Sequence, residues 1–114
     1  MRCLTLANSL KSNKIKTIFI TTKLDSFFEN MIKKSGHDIF FISKYKTKIS
    51  FKKDALLTKK FIKSNNLQSS YLIVDNYELD IKWESLLKNS VKKIIIIDDL
   101  ANRKHDCDFL IDQN

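Results

Sequence analysis

The 114-residue chain contains no proline, a single glycine (Gly36) and only two cysteines. With one glycine it can hold neither a Gly-x-Gly-x-x-Gly dinucleotide fingerprint nor a phosphate-cradling P-loop. No Pro/Gly linker, repeat or low-complexity tail interrupts it, and the length fits one domain. Cys3 and Cys107 stand far apart, and no cysteine pair has zinc-ligand spacing. They read as reduced, packed thiols, with a disulfide the minor reading. Long apolar runs are also missing. The longest, Ile94–Ile97, is well short of the ~20 residues of a membrane span and reads as a buried strand. The first residues lack the basic start and apolar stretch of a secretory signal. The expectation is a cytoplasmic chain.

What the chain does have is an ordinary apolar share, 43% hydrophobic, and an uneven charge. Residues 1–70 carry 15 Lys/Arg against 4 Asp/Glu, a net of +11, while residues 71–114 carry 6 against 9, a net of −3. A nucleic-acid surface would interleave basic residues with aromatics; here nearly all the excess is lysine. The reading is a solvated lysine surface, with neither nucleic acid nor membrane as partner. A functional basic patch for a phosphate-bearing ligand is the alternative.

The apolar period alternates between helical and strand-like. Cys3, Leu6, Ala7 and Leu10 mark one helix face, and Ile15–Thr21 follows as a β-branched strand. Asp25 is placed to cap the next helix, with Glu29 in its first turns and Phe27, Phe28, Met31 and Ile32 as its buried face. Gly36 sits where a left-handed C-terminal cap is needed, and His37 after it reads as exposed. Ile39–Ile42 is a second strand and residues 43–53 a lysine-rich connection. A helix over Asp54–Ser64, with Leu57 and Phe61 on one face, leads to a strand at Tyr71–Asp75. Leu79, Trp83, Leu86 and Leu87 then mark a helix capped by Asp80, followed by strands at Ile94–Asp98 and Phe109–Ile111. Helices alternating with wholly apolar strands predict an α/β fold: a Rossmann-like parallel sheet with helices on both faces.

Ligands in open parallel sheets bind beyond the carboxyl ends of the strands. Asp75-Asn76-Tyr77 follows one strand and Asp98-Asp99 the next, so these groups lie side by side if the strands are neighbours. Strand-end acids can accept sugar hydroxyls or hold a metal; they can equally cap a helix or bond loop amides. Tyr77 is either half-buried core or a hydrogen-bond donor to a sugar or phosphate oxygen. Trp83 belongs to the core. His105-Asp106-Cys107-Asp108 packs four ligand types too tightly to converge on one ion. Neither histidine has a partner visible in the pattern, and no metal or other cofactor is expected.

These residues together resemble a known family. Met1-Arg2-Cys3-Leu4-Thr5-Leu6-Ala7 is similar to the first helix of UDP-2,4-diacetamido-2,4,6-trideoxy-β-L-altropyranose hydrolases of pseudaminic acid biosynthesis. Val74-Asp75-Asn76-Tyr77, Leu79-Asp80 and Trp83-Glu84 resemble that family's Asp-His-Tyr segment and the helix after it, with Asn76 in place of histidine. The strongest similarity runs through Ile97-Asp98-Asp99-Leu100-Ala101-Asn102-Arg103, His105-Asp106-Cys107-Asp108 and Leu110-Ile111-Asp112-Gln113-Asn114. Residues 12–70 match only in layout. The resemblance implies the N-terminal Rossmann-like domain of a glycosyltransferase-B-like enzyme that hydrolyses a UDP-sugar without a metal. Tyr77 matches its active-site tyrosine; Asp75, Asn76, Asp98, Asp99 and Arg2 match cleft-lining segments.

The family's general base is a histidine in a Gly-x-Gly-His-x-x-Arg loop, which would precede Arg2. By the resemblance, residues 1–114 are a partial domain lacking that loop, its strand and the nucleotide-binding C-terminal domain. Hydrolysis by this chain alone is therefore not expected unless another chain supplies them. A glycosyltransferase-like domain, or a non-catalytic binding module with a basic surface, are the alternatives.

Overall fold

The computed structural model describes residues 2–43, 49–76, 78–98 and 104–111. Four helices and five strands lie among them: α1 (Arg2–Ser12), β1 (Ile18–Thr21), α2 (Ser26–Lys34), β2 (Asp38–Phe41), α3 (Phe51–Ser64), β3 (Tyr71–Val74), α4 (Ile81–Leu87), β4 (Lys93–Ile97) and β5 (Phe109–Ile111). The chain forms two compact units, residues 1–48 and 49–114. Every strand pairing is parallel, and the α/β class read from the sequence holds.

In the first unit β1 and β2 pair from Ile18 with Asp38 to Thr21 with Phe41, and α2 makes the crossover. Leu4 and Ala7 of α1 and Ile32 of α2 are buried. Two expectations fail on α2. Phe27 and Phe28 stack edge to face on each other, yet they are 68% and 39% exposed; the helix turns Ile32 inward instead. Asp25 does occupy the cap position but makes no side-chain cap bond.

Three of the four helix ends follow one rule. In α2 the Gly36 amide donates to the Lys33 carbonyl and the His37 amide to Ile32, the paired bonds of a Schellman motif. Gly36 has φ +88°, the left-handed position for which glycine is suited. The same pair of bonds ends α1 around Lys14 and α3 around Asn66, at φ 64° and 54°. With one glycine available, lysine and asparagine take the other two left-handed caps.

In the second unit the sheet order is β3-β4-β5. Its core joins Ala55 and Ile62 of α3, Val74 of β3, Trp83 and Leu87 of α4, and Ile94 and Ile96 of β4. α3 starts at Phe51 rather than Asp54, because the Ser50 side chain accepts from the Lys53 amide and caps it. Asp54 is thereby released to turn inward. Its carboxylate accepts from Trp83 Nε1 at 2.9 Å and from Thr58 Oγ1 at 3.3 Å, tying α3 to α4. Ala55, Thr58 and Ile62 form the buried face, with Leu57 and Phe61 half-buried at its margins. Asp80 caps α4 through the Lys82 amide, as its position predicts. Leu86, read as core, is 42% exposed.

The indole bond gives a direct test. Trp83→Phe keeps most of the packing but removes a donor from a half-buried carboxylate, which costs about 1–3 kcal/mol. Urea unfolding followed by circular dichroism should show that loss, and Trp83→Phe combined with Asp54→Leu should recover part of it.

Candidate functional site

The site is built at the carboxyl ends of β3 and β4. Their register runs from Tyr71 with Lys93 to Val74 with Ile96. The pairing ends at Val74 with Ile96, so Asp75-Asn76 and Asp98 follow neighbouring strands at the same end of the sheet. The sequence expectation that the two strand-end segments adjoin is met for these residues. Asp75 is half-buried and Asn76 exposed. The Asn76 side-chain oxygen accepts from the Glu78 amide at 2.8 Å, a local turn bond that shapes the loop leaving β3. Tyr77 and Asp99 lie outside the described residues. Arg2 opens α1 in the first unit.

Asp98 faces inward. It is 2% exposed, and its amide extends the β4–β5 ladder by donating to the Ile111 carbonyl at 2.9 Å. Its Oδ2 lies 2.7 Å from His105 Nε2, and the other ring nitrogen, Nδ1, lies 2.6 Å from Glu84 Oε2. Glu84 is fully buried, and its second oxygen accepts from the Asp106 amide at 2.7 Å. Both ring nitrogens thus face carboxylates, an arrangement that favours the doubly protonated ring, the imidazolium. Burial acts to lower the His105 pKa, but the hydrogen bonds and charges of Asp98 and Glu84 outweigh it and hold the pKa above the ordinary histidine value.

The residues around His105 extend this clasp. The Lys104 carbonyl accepts from the Ile81 amide. Asp106 accepts from Ser85 Oγ at 3.0 Å and from Lys88 Nζ at 2.8 Å; the Lys88 and Ser85 hydrogen bonds hold its carboxyl below the usual range. Asp108 Oδ2 accepts from the Ile94 amide at 2.8 Å. Cys107 packs against the core; burial first, then the charges of Glu84, Asp108 and Asp106, push its thiol up. It is therefore a protonated packing residue rather than a nucleophile. Among the described residues no group of three or more His, Cys, Asp or Glu is arranged to hold a metal ion.

The sequence reading left both histidines without partners, and the structure corrects this. Glu84 and His105 are 21 positions apart, so no local pattern could show the pair. The available signal was Glu84 lying one residue after Trp83, on the inward side of α4. His37, expected to be exposed, is 5% exposed. Its Nε2 lies 2.8 Å from Asn8 Oδ1, and its ring lies 5.6 Å from that of Phe19.

The first unit also has an open hollow of about 400 Å³, lined among others by Lys11, Lys14, Lys16, His37 and Asp38. Two of its lysines are engaged: Lys11 donates to the Ser35 carbonyl at the end of α2, and Lys16 pairs with Asp38 at 3.1 Å. These cations offset the negative carboxyl end of a helix and a carboxylate, so they do not create a positive cradle.

Linkage fixes the sign of the His105 effect. The folded chain keeps a proton that the unfolded chain releases near 6.5. The stabilisation is complete below that pH and is lost as pH rises through the elevated folded value. Urea midpoints should therefore fall as pH is raised from about 6 to 9, and His105→Gln should flatten that dependence. His105→Ala, which leaves two buried carboxylates facing each other, should cost about 3–5 kcal/mol.

Comparison with protein-family models, with curated proteins and with solved structures returned no match to this chain.

Proposed function

We propose that the chain is part of a Rossmann-like, glycosyltransferase-B-type N-terminal domain that binds the UDP-sugar substrate of a pseudaminic-acid-pathway hydrolase. The observation that carries this reading is the pairing of β3 with β4, after whose carboxyl ends Asp75-Asn76 and Asp98 follow, the end of the sheet where α/β proteins bind ligands. The motif resemblance gains support from the same region. Asp98, His105, Asp106 and Asp108 each hold a specific partner across α4 and β4, so their spacing answers to one local fold. In this reading Asp75 and Asn76 accept and donate hydrogen bonds to sugar hydroxyls, and Tyr77 and Asp99 complete the contacts.

Hydrolysis also needs a base to take a proton from the attacking water. His105 has both ring nitrogens engaged by carboxylates, and His37 is buried against Asn8. The reading therefore assigns the chain substrate binding, with the base supplied from outside these two residues.

Titration of the chain with the UDP-sugar, followed by amide chemical shifts, should move Asp75, Asn76 and Asp98 saturably while phosphorus spectra show no free UDP. Asn76→Ala should weaken the binding. Shifts confined to other residues would overturn the reading, and steady UDP release would overturn the division between binding and proton transfer.

A further inference from the structure

The surface that the proposed function leaves unused is the outer face of α3. At ~100° per residue, Lys52, Lys59 and Lys63 form one row and Lys53 and Lys60 a second row about 80–100° further round. All five are exposed. Leu56, 54% exposed, stands between the rows. The only acid of α3, Asp54, is turned to the opposite side and held by Trp83 and Thr58. Among the described residues none of the five lysines has an ion-pair partner.

This arrangement works against the helix that carries it. Lys52 and Lys53 occupy the first turn, where the helix dipole disfavours positive charge. Lys59 with Lys63 and Lys60 with Lys63 are like-charge neighbours at i,i+4 and i,i+3, each destabilising. No compensating acid lies on that face. α3 persists because its other side is buried through Ala55, Thr58 and Ile62. The lysine face therefore adds no stabilising contact to the fold among the described residues.

In place of the sequence reading of a merely solvated lysine surface with no membrane partner, we propose that this face is a docking surface for an anionic lipid bilayer. The stripe is a convex ridge about 16 Å long from Lys52 to Lys63, suited to a flat, uniformly charged surface. Its apex is Leu56, which can enter the headgroup boundary while the lysine stems lie alongside and their ammonium groups reach lipid phosphates and carboxylates. A nucleic-acid partner fits less well, because the ridge offers no arginine for bidentate contacts and no aromatic ring for stacking a base. The contact made by lysine ammonium groups and one leucine is peripheral and electrostatic.

The test is co-sedimentation of the full chain with vesicles of phosphatidylcholine alone, or with about 30% phosphatidylserine, at low and high salt. The anionic vesicles should bind the chain at low ionic strength and release it when the Debye length shrinks to about 3 Å at 1 M salt. Each lysine near the surface contributes about fivefold in partitioning. Lys59→Gln with Lys60→Gln should therefore lower binding about 25-fold, and Leu56→Ser should lower it further. A control with Lys34→Gln and Lys92→Gln, both exposed and outside α3, should change binding far less. These are exposed positions where substitutions leave stability nearly unchanged, and circular dichroism verifies the fold. The proposal is overturned by equal binding to the uncharged vesicles, by no binding at low salt, or by α3 variants that bind as tightly as the parent. Displacement from the vesicles by a short DNA duplex at equal charge concentration would assign the ridge to nucleic acid instead.

Discussion

The second unit depends on one buried ring. His105 bridges Glu84 on α4 and Asp98 at the end of β4, and its neighbours Asp106 and Asp108 add further bonds to α4 and to the start of β4. Two buried carboxylates would repel each other and each would suffer the loss of water. With the imidazolium between them, they hold the crossover helix to its strand. Asp98 cannot turn outward without giving up the ring. The same clasp explains why a four-residue run of histidine, aspartates and cysteine contains no metal-binding arrangement: each side chain already has a different partner.

Most of the secondary structure was legible because it is a matter of period and punctuation. The unbroken isoleucines of β4, the helical spacing of Trp83 and Leu87, and the cap at Asp80 all lie within a few residues of what they specify. Gly36 was legible for the same reason, since a lone glycine after a helix has few other uses. The equivalent caps at Lys14 and Asn66 were not, because nothing in a lysine marks a left-handed position. The third helix begins at Phe51, three residues before the Asp54 start read from the sequence, because Ser50 takes the cap and Asp54 instead accepts from the indole of Trp83.

The candidate site divides along the same line. Asp75, Asn76 and Asp98 could be placed at strand ends because the strands themselves were clear. The partnership of Glu84 with His105 could not, since it arises only when the crossover folds back onto the sheet. Phe27, Phe28 and Leu86 show the converse: the apolar period gave them a face, but a stripe is wider than the surface that covers it, and residues at its margin stay exposed. The lysines of α3 were visible in composition as a general excess, and only the helix phase gathers them into one ridge.

Trp83 is the only tryptophan in the chain, and it is 3% exposed in the core of the second unit. Its fluorescence therefore reports on the packing around Trp83 within residues 49–114, whereas far-ultraviolet ellipticity sums both units. The two signals divide the molecule optically without any label. If the halves lose structure as one cooperative body the curves superimpose, and if either half opens first they separate. A single indole thus makes it possible to read in a cuvette whether the two units unfold together.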